Sequence, residues 1–250
     1  MSIEIGPGPV CRITIARPEQ KNALDRSHLE QLAQAFVGAS QAAETRVVVL
    51  TGEGGDFSSG ADLAEVRDLR DEADARDYFS GVARVMRAEM TSNVPVIARV
   101  QGYCLAGAMG LVAAADLVAA DEGALFGLPE VNVALFPMVV SGVLSRLVPL
   151  RLLQELALTG RRMGAEEARE AGLVTTVTSD VDATVGSWAE RLQRLPPGAI
   201  REGKRALWDL APAPADSALL GLAGRVAHLA LDEEARSHIG AFFERRRGER

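Results

Sequence analysis

One glutamate, Glu130, stands in the apolar segment FGLPEVNV (126–133), where a carboxylate is out of place as ordinary surface. A base that removes a proton from carbon beside a carbonyl works best partly desolvated, because burial disfavours its charge and raises its proton affinity. The alternative is an exposed loop glutamate or an ion pair with Arg146 or Arg151. Two glycine-rich segments could serve such a base: GEGGDFSSGADL (52–63) and GYCLAGAMG (102–110) each follow an apolar run and lead into a helix. The first N–H groups of a helix are unpaired and carry partial positive charge. Gly60 permits a backbone conformation that other residues resist, so the Ala61 N–H could be aimed at a ligand oxygen. In the second loop the small residues Ala106, Gly107 and Ala108 allow close approach. Either loop alone could be a tight connection or a close helix–sheet contact. As a pair they offer the two converging donors that a thioester enolate oxygen needs, and losing one such donor typically costs ~10²- to 10³-fold in rate.

These loops need strands to launch them. The spacing predicts a strand over 10–16, a loop at RPEQKNALD (17–25), and a helix capped by Asp25 with Leu29, Leu32 and Phe36 on one face. RVVVLT (46–51) and PVIARVQ (95–101) read as buried strands, and 116–120 and 124–127 as shorter ones. One long amphipathic helix is expected from Asp62. From Ser141 onward the chain reads helical apart from a short strand near 173–178. Strand, loop and helix alternate, which favours an α/β architecture. The boundaries read as an α/β core over residues 1–195 and a C-terminal helical region over 196–250, with no flexible spacer between them.

The chain has 250 residues, 48% of them hydrophobic and 24% charged, enough for one large core and without the signature of disorder. A net charge of −7 argues against a nucleic-acid partner and leaves a small molecule as the expected ligand. No stretch reaches the ~20 uninterrupted apolar residues of a membrane helix. The first ten residues lack a basic stretch followed by an apolar core. Cys11 and Cys104 sit in apolar strand-like segments, so a disulfide framework is not expected. The expected address is cytoplasmic.

Other chemistries fit less well. A dinucleotide site would need a third glycine where Phe57 follows Gly52 and Gly54. A serine hydrolase would need a nucleophile with a nearby base, yet the chain has no G-x-S-x-G and no histidine beside the loops. His28, His228 and His238 lack ligand spacing, so no metal is expected. The charged run EVRDLRDEADARD (65–77) reads as a solvated helix face, or as part of a mobile acyl-pocket wall. Tyr78 and Phe79 read as core or pocket lining.

Taken together, RPEQKNALD (17–25), VVVLTGEGGDFSSGADL (47–63), PVIARVQGYCLAGAMGL (95–111), FGLPEV (126–131) and LTGRRMGAEEAREAGLV (158–174) resemble the crotonase, or enoyl-CoA hydratase/isomerase, family. The motifs occur in the family's order over most of the first 180 residues. The resemblance implies a spiral of ββα units followed by a helical trimerisation region, an acyl-CoA thioester substrate, and assembly as a homotrimer or dimer of trimers. It implies no cofactor beyond the coenzyme A of the substrate. By motif position it puts the oxyanion donors on Ala61 and Gly107 and the base on Glu130. It also implies backbone contacts to the CoA adenine around Ser59, Ala61 and Leu63, with Lys21 near the nucleotide end. Asp62 falls inside that CoA-binding segment and reads as a helix-start residue.

Two departures bear on the reaction. Hydratases of this family carry a first glutamate three residues after the oxyanion glycine, where this chain has Gly110, and usually a glycine after Pro137, where it has Met138. Hydration is most easily run by two carboxylates sharing the activation of water and proton delivery. A single carboxylate suffices for a proton shuttle, so the expected reaction is the Δ3,Δ2-enoyl-CoA isomerase type. Enoyl-CoA hydration or lyase chemistry with one glutamate and acyl-CoA binding without catalysis are the alternatives.

Overall fold

The computed structural model describes residues 3–210 and 216–248. An antiparallel hairpin of β1 (Ile3–Gly6) and β2 (Val10–Ile15) opens the chain, and α1 (Arg26–Gln41) follows, its first turn capped by Asp25, which accepts the His28 N–H. β3 (Val47–Gly52) is buried at every position, as its β-branched run requires. The single helix expected after Asp62 is two: α2 (Leu63–Arg67) and α3 (Glu72–Met90). The break has a local cause. Asp62 and Asp71 each cap a helix start, accepting the N–H of Ala64 and Asp74, and the chain turns at residues 68–71 between them. The charged run is the solvated face expected, exposed at Arg67, Asp68, Arg70, Glu72, Arg76 and Asp77, and Arg26 pairs with it at Glu65, Asp74 and Asp77.

β4 (Val96–Val100), β5 (Tyr103–Leu105) and α4 (Gly107–Ala114) come next, then β6 (Leu117–Asp121), β7 (Leu125–Gly127), a 3-10 turn (Pro129–Val133) and α5 (Met138–Leu144). α6 (Leu150–Thr159), β8 (Arg162–Gly164), α7 (Ala165–Glu170), β9 (Thr176–Thr178) and α8 (Val181–Gln193) complete the sheets. β8 has only three residues and no sequence pattern announced it. The larger sheet runs β1-β2-β3-β4-β6-β9, parallel from β2 onward, and the smaller one runs β5-β7-β8.

Each pass of the spiral crosses both sheets before entering a helix. β4 passes through Gly102, at φ +54°, into β5 and then α4. β6 passes into β7 and the 3-10 turn, and β3 passes to Ser58, which bridges Cys104 in parallel, before α2. Cys104 pairs with Phe126 and Phe126 with Met163, so Ser58, Cys104, Phe126 and Met163 form one buried row across successive passes.

The helices after residue 196 pack on this core. α9 (Pro197–Leu210) is tied down by Lys204, buried with its Nζ 2.7 Å from Asp116 Oδ2 and donating to the carbonyls of Glu89 and Val94. α10 (Asp216–Ala230) lies on α3 and α5, with Leu219, Ala223, Val226, Ala227 and Ala230 buried in the main core. α11 (Glu233–Gly248) crosses the 3-10 turn and α2, where Arg236 donates to the Leu69 carbonyl at 3.2 Å and the Arg67 guanidinium stacks on Phe243.

Candidate active site

The site grows from the buried row. Three residues beyond Ser58 is Ala61, three beyond Cys104 is Gly107, and four beyond Phe126 is Glu130. The two glycine loops close on each other. Gly60 has φ +87°, and a Cβ there would lie 2.7 Å from Ala106 Cβ and 3.0 Å from Gly107 N. A Cβ on Gly107 would in turn lie 4.0 Å from Ala61 N and 3.9 Å from Val82 Cγ1. Among the described residues the Ala61 and Gly107 N–H groups find no acceptor in the protein. Gly107 opens α4, so its N–H has no intrahelical partner. Ala106, just before it, adopts φ 52° and ψ −126°. Strain of this kind at a non-glycine residue costs on the order of 1–3 kcal/mol and persists where the surroundings enforce it.

Two residues whose anchoring role the motifs did not show fix this geometry: Asn22, and Tyr78, which reads from sequence only as core or pocket lining. Asn22, fully buried and at φ 55°, accepts the Arg17 N–H through Oδ1 and donates through Nδ2 to the carbonyls of Glu53 and Asp56; its own carbonyl accepts the Ser58 hydroxyl. The Tyr78 hydroxyl, on α3, donates to the Leu24 carbonyl at 2.7 Å and accepts the Asp62 N–H at 3.2 Å. Tyr78 is thus a core ring whose polar end holds the first glycine loop. Asp62 is occupied as a helix start: Oδ1 accepts the Ala64 N–H and Oδ2 pairs with Arg17 at 2.8 Å.

Glu130 lies in the 3-10 turn just after Pro129. The turn follows Gly127, whose carbonyl accepts the Ala106 N–H at 2.9 Å and so links the segment of Glu130 to the second loop. Its Oε2 is buried with no hydrogen-bond partner. Burial pushes the carboxyl up to about 8, against a smaller opposing effect of its own backbone N–H. Among the described residues no cation pairs with it. Arg146, the partner considered from sequence, stacks 4.3 Å over the Trp208 ring and donates to the Trp208 carbonyl instead.

Hydrocarbon closes the position of the missing acid. A Cβ on Gly110 would meet Met86 Sδ at 2.6 Å and Val140 Cγ1 at 2.7 Å. The buried acid on α3, Glu89, is one turn past Met86; the charges acting on it are those of Lys204 and Asp116, and burial pushes its carboxyl well up.

Near the first loop, Lys21 occupies a left-handed turn and its carbonyl accepts the Ser59 N–H at 2.9 Å. Lys21 Nζ stands 4.4 Å and the Arg162 guanidinium 4.8 Å from the centre of the Tyr103 ring, so two cations share one aromatic group. Leu63 is the first residue of α2, partly buried against the core. Among the described residues no group of His, Cys, Asp and Glu could hold a metal, and no helix is long and apolar enough to cross a membrane.

The structure is thus a parallel spiral with two unpaired N–H groups on adjoining loops and a desolvated carboxylate on the next pass. The chain belongs to the enoyl-CoA hydratase/isomerase family, whose sequence description matches residues 6–248. It is 30% identical to the mouse (Mus musculus) enoyl-CoA hydratase domain-containing protein 3, mitochondrial, over 94% of this chain and 79% of that one. It is 37% identical to the carnitinyl-CoA dehydratase of Salmonella enteritidis over 69% of this chain and 66% of that one. The crystal structure of an enoyl-CoA hydratase from Mycobacterium avium superposes with a TM-score of 0.87 at 31% identity, covering 97% of this chain and 96% of that one. Family members act on acyl-CoA thioesters, and the crotonase-type spiral expected from the motifs is the fold observed.

Proposed function

We propose that this protein moves the double bond of a 3-enoyl-CoA to the 2 position, with Glu130 as the only acid–base group. The observation that carries the reading is the pairing of a buried Glu130 carboxylate, its Oε2 without a hydrogen-bond partner, with a Gly110 position closed by Met86 and Val140. Ionised Glu130 takes a proton from C2. The electron pair shifts onto the thioester oxygen, which accepts the Ala61 and Gly107 N–H groups, and protonated Glu130 returns the same proton to C4 as the carbonyl re-forms. A carboxyl raised to about 8 suits both halves, since the conjugate acid must also give the proton back. No water need enter.

Lys21 and Arg162, gathered on Tyr103, are proposed to meet the phosphates of coenzyme A, with the backbone of Ser59, Ala61 and Leu63 around its adenine. The substrate then brings the coenzyme A and no separate cofactor takes part. Assembly into trimers is proposed on the exposed Leu150 and Leu158 of α6 beside Val131 of the 3-10 turn, an apolar face bordering the base.

The names of the relatives favour a second reading, hydration or dehydration run by one glutamate. Incubating the protein with 3-enoyl-CoA and separately with 2-enoyl-CoA, while following double-bond position and oxygen-18 uptake from water, separates the readings. Isomerisation without label, lost in Glu130→Gln, is the expected result. Label incorporation at comparable rate would replace isomerase with hydratase, and tight binding with no turnover of either thioester would leave a binding protein.

A further inference from the structure

The direction of the Ala61 N–H is set from outside its own loop. Leu24 bridges Ala61 in parallel: the Leu24 N–H donates to the Gly60 carbonyl at 2.8 Å, and the Leu24 carbonyl accepts the Asp62 N–H at 3.0 Å. The Gly60 carbonyl and the Ala61 N–H belong to one trans peptide group and point in opposite directions. Holding that carbonyl on Leu24 therefore turns the Ala61 N–H away from Leu24, and a Cβ on Gly107 would lie 4.0 Å from its nitrogen. The second donor is held differently. The Ala106 carbonyl shares a peptide group with the Gly107 N–H and accepts the Met109 N–H at 3.0 Å, inside its own helix turn. The first peptide group is thus aimed by a distant segment, the second by its own helix.

One peptide group further back stands Arg17. The Leu24 N–H shares its peptide group with the Ala23 carbonyl, and that carbonyl accepts an Arg17 Nη1 hydrogen at 3.2 Å. The guanidinium, peptide 23–24 and peptide 60–61 form one hydrogen-bonded chain, head to tail, that ends on the Ala61 N–H. The same Nη1 lies 2.8 Å from Asp62 Oδ2 and 3.5 Å from Asp25 Oδ2, so the guanidinium also grips the residue after Ala61 and the cap of α1. Its side chain is 14% exposed, and its backbone N–H is held by Asn22 Oδ1 at 2.9 Å. The two carboxylates more than balance its charge, so its effect on an enolate runs through geometry rather than through its field. We propose that Arg17 is a positioning residue for the oxyanion donor: it fixes the angle of the peptide group that carries the Ala61 N–H. The inference rests on the oxyanion role of Ala61 proposed above.

The test reads a bound carbonyl directly. The tightest-binding member of a saturated series from acetyl- to decanoyl-CoA, carrying carbon-13 at C1, is bound to the full chain, and the infrared stretch of the labelled carbonyl is compared with that in solution. Two donors should lower the frequency in the parent. Arg17→Met should abolish about half of that shift and cut kcat on a 3-enoyl-CoA ~10- to 10²-fold, short of the ~10²- to 10³-fold of a lost donor, while KM and the affinity for the saturated thioester change little. Arg17→Lys keeps a cation between Asp25 and Asp62 without the planar fork, so it should fall between the two and gives the same readout if Arg17→Met does not fold. A lowered melting temperature with parent-like carbonyl frequency and kcat, or a rise in KM alone, would make Arg17 a purely structural residue and overturn the inference. An unshifted carbonyl in the parent, or no binding of any member of the series, would remove the oxyanion reading itself and this inference with it.

Discussion

Ala106 and Gly60 touch across the two loops: a methyl group on Gly60 would stand 2.7 Å from the Ala106 Cβ and equally close to the Leu105 carbonyl oxygen. The contact sets how closely the Ala61 and Gly107 donors approach. Gly60→Ala meets backbone it cannot displace and must hold φ +87° with a Cβ. Turnover of a 3-enoyl-CoA should fall ~10²- to 10³-fold, the cost of losing one donor, with a lowered melting temperature. A variant with normal kcat would remove the Ala61 N–H from the oxyanion role.

Ala106→Gly should act in the opposite sense on stability. It frees a residue at φ 52° and ψ −126° that favours glycine, and nothing polar is lost. Relief on the order of 1 kcal/mol, part of the strain such conformations carry, is expected in denaturant unfolding. Clear destabilisation would show that the Ala106 methyl is worth more as packing than its backbone costs.

Glu130 links activity to stability through its raised proton affinity. Between its ordinary value of 4.5 and about 8 the folded protein holds a proton that the unfolded chain releases, so Glu130 makes the fold progressively less stable as pH rises through that window. Glu130→Gln removes this term. Its melting temperature should match the parent's at pH 4 and exceed it by a growing margin up to about pH 8, flat beyond. The parent's kcat/KM should rise with pH through the same upper value. A constant gap in melting temperature would place the Glu130 carboxyl in its ordinary range.

Restoring an acid at Gly110 should not by itself restore hydration. Gly110→Glu drives its Cβ into Met86 and Val140, and overpacking of this kind costs typically 1–3 kcal/mol. Destabilisation with no oxygen-18 uptake is expected, and adding Met86→Ala should recover part of the stability. A stable single variant that adds water to 2-enoyl-CoA would show that the position is open.

Tyr78→Phe keeps the ring and deletes the bridge between the Leu24 carbonyl and the Asp62 N–H. Loss of about 1–2 kcal/mol is expected for a buried hydroxyl so engaged, read as a shifted urea midpoint at constant slope. An unchanged midpoint would leave the loop held by Asn22 and its backbone bonds alone.

Much of the site was readable because it is local. FSSGADL, GYCLAGAMG and FGLPE place Ala61, Gly107 and Glu130 by position within short segments, and an acid or glycine there has few other uses. What sequence could not show was anything made by distant segments meeting. Tyr78 sits in helical register with the core, and nothing in that register tells a ring that only packs from one whose hydroxyl anchors a loop. Gly110 reads as an empty place until Met86 and Val140, 24 and 30 residues away, are seen to fill it. The division of the helix after Asp62 was written in Asp71, an N-cap residue hidden among other acids. β8 is too short for a period and exists because β7 offers it an edge.

The buried row Ser58, Cys104, Phe126 and Met163 also works as a ruler. Adjacent hydrogen-bonded strands are about 4.8 Å apart, and Ala61 and Gly107 leave the row on neighbouring rungs at the same offset. A Cβ on Gly107 would lie 4.0 Å from Ala61 N, so both segments leave the row into the same small space. Glu130 leaves the row on the next rung, beyond Gly107. The spacing of Ala61, Gly107 and Glu130 is thus counted in units of the sheet, and a slip of one rung would displace them relative to one another with every residue still present.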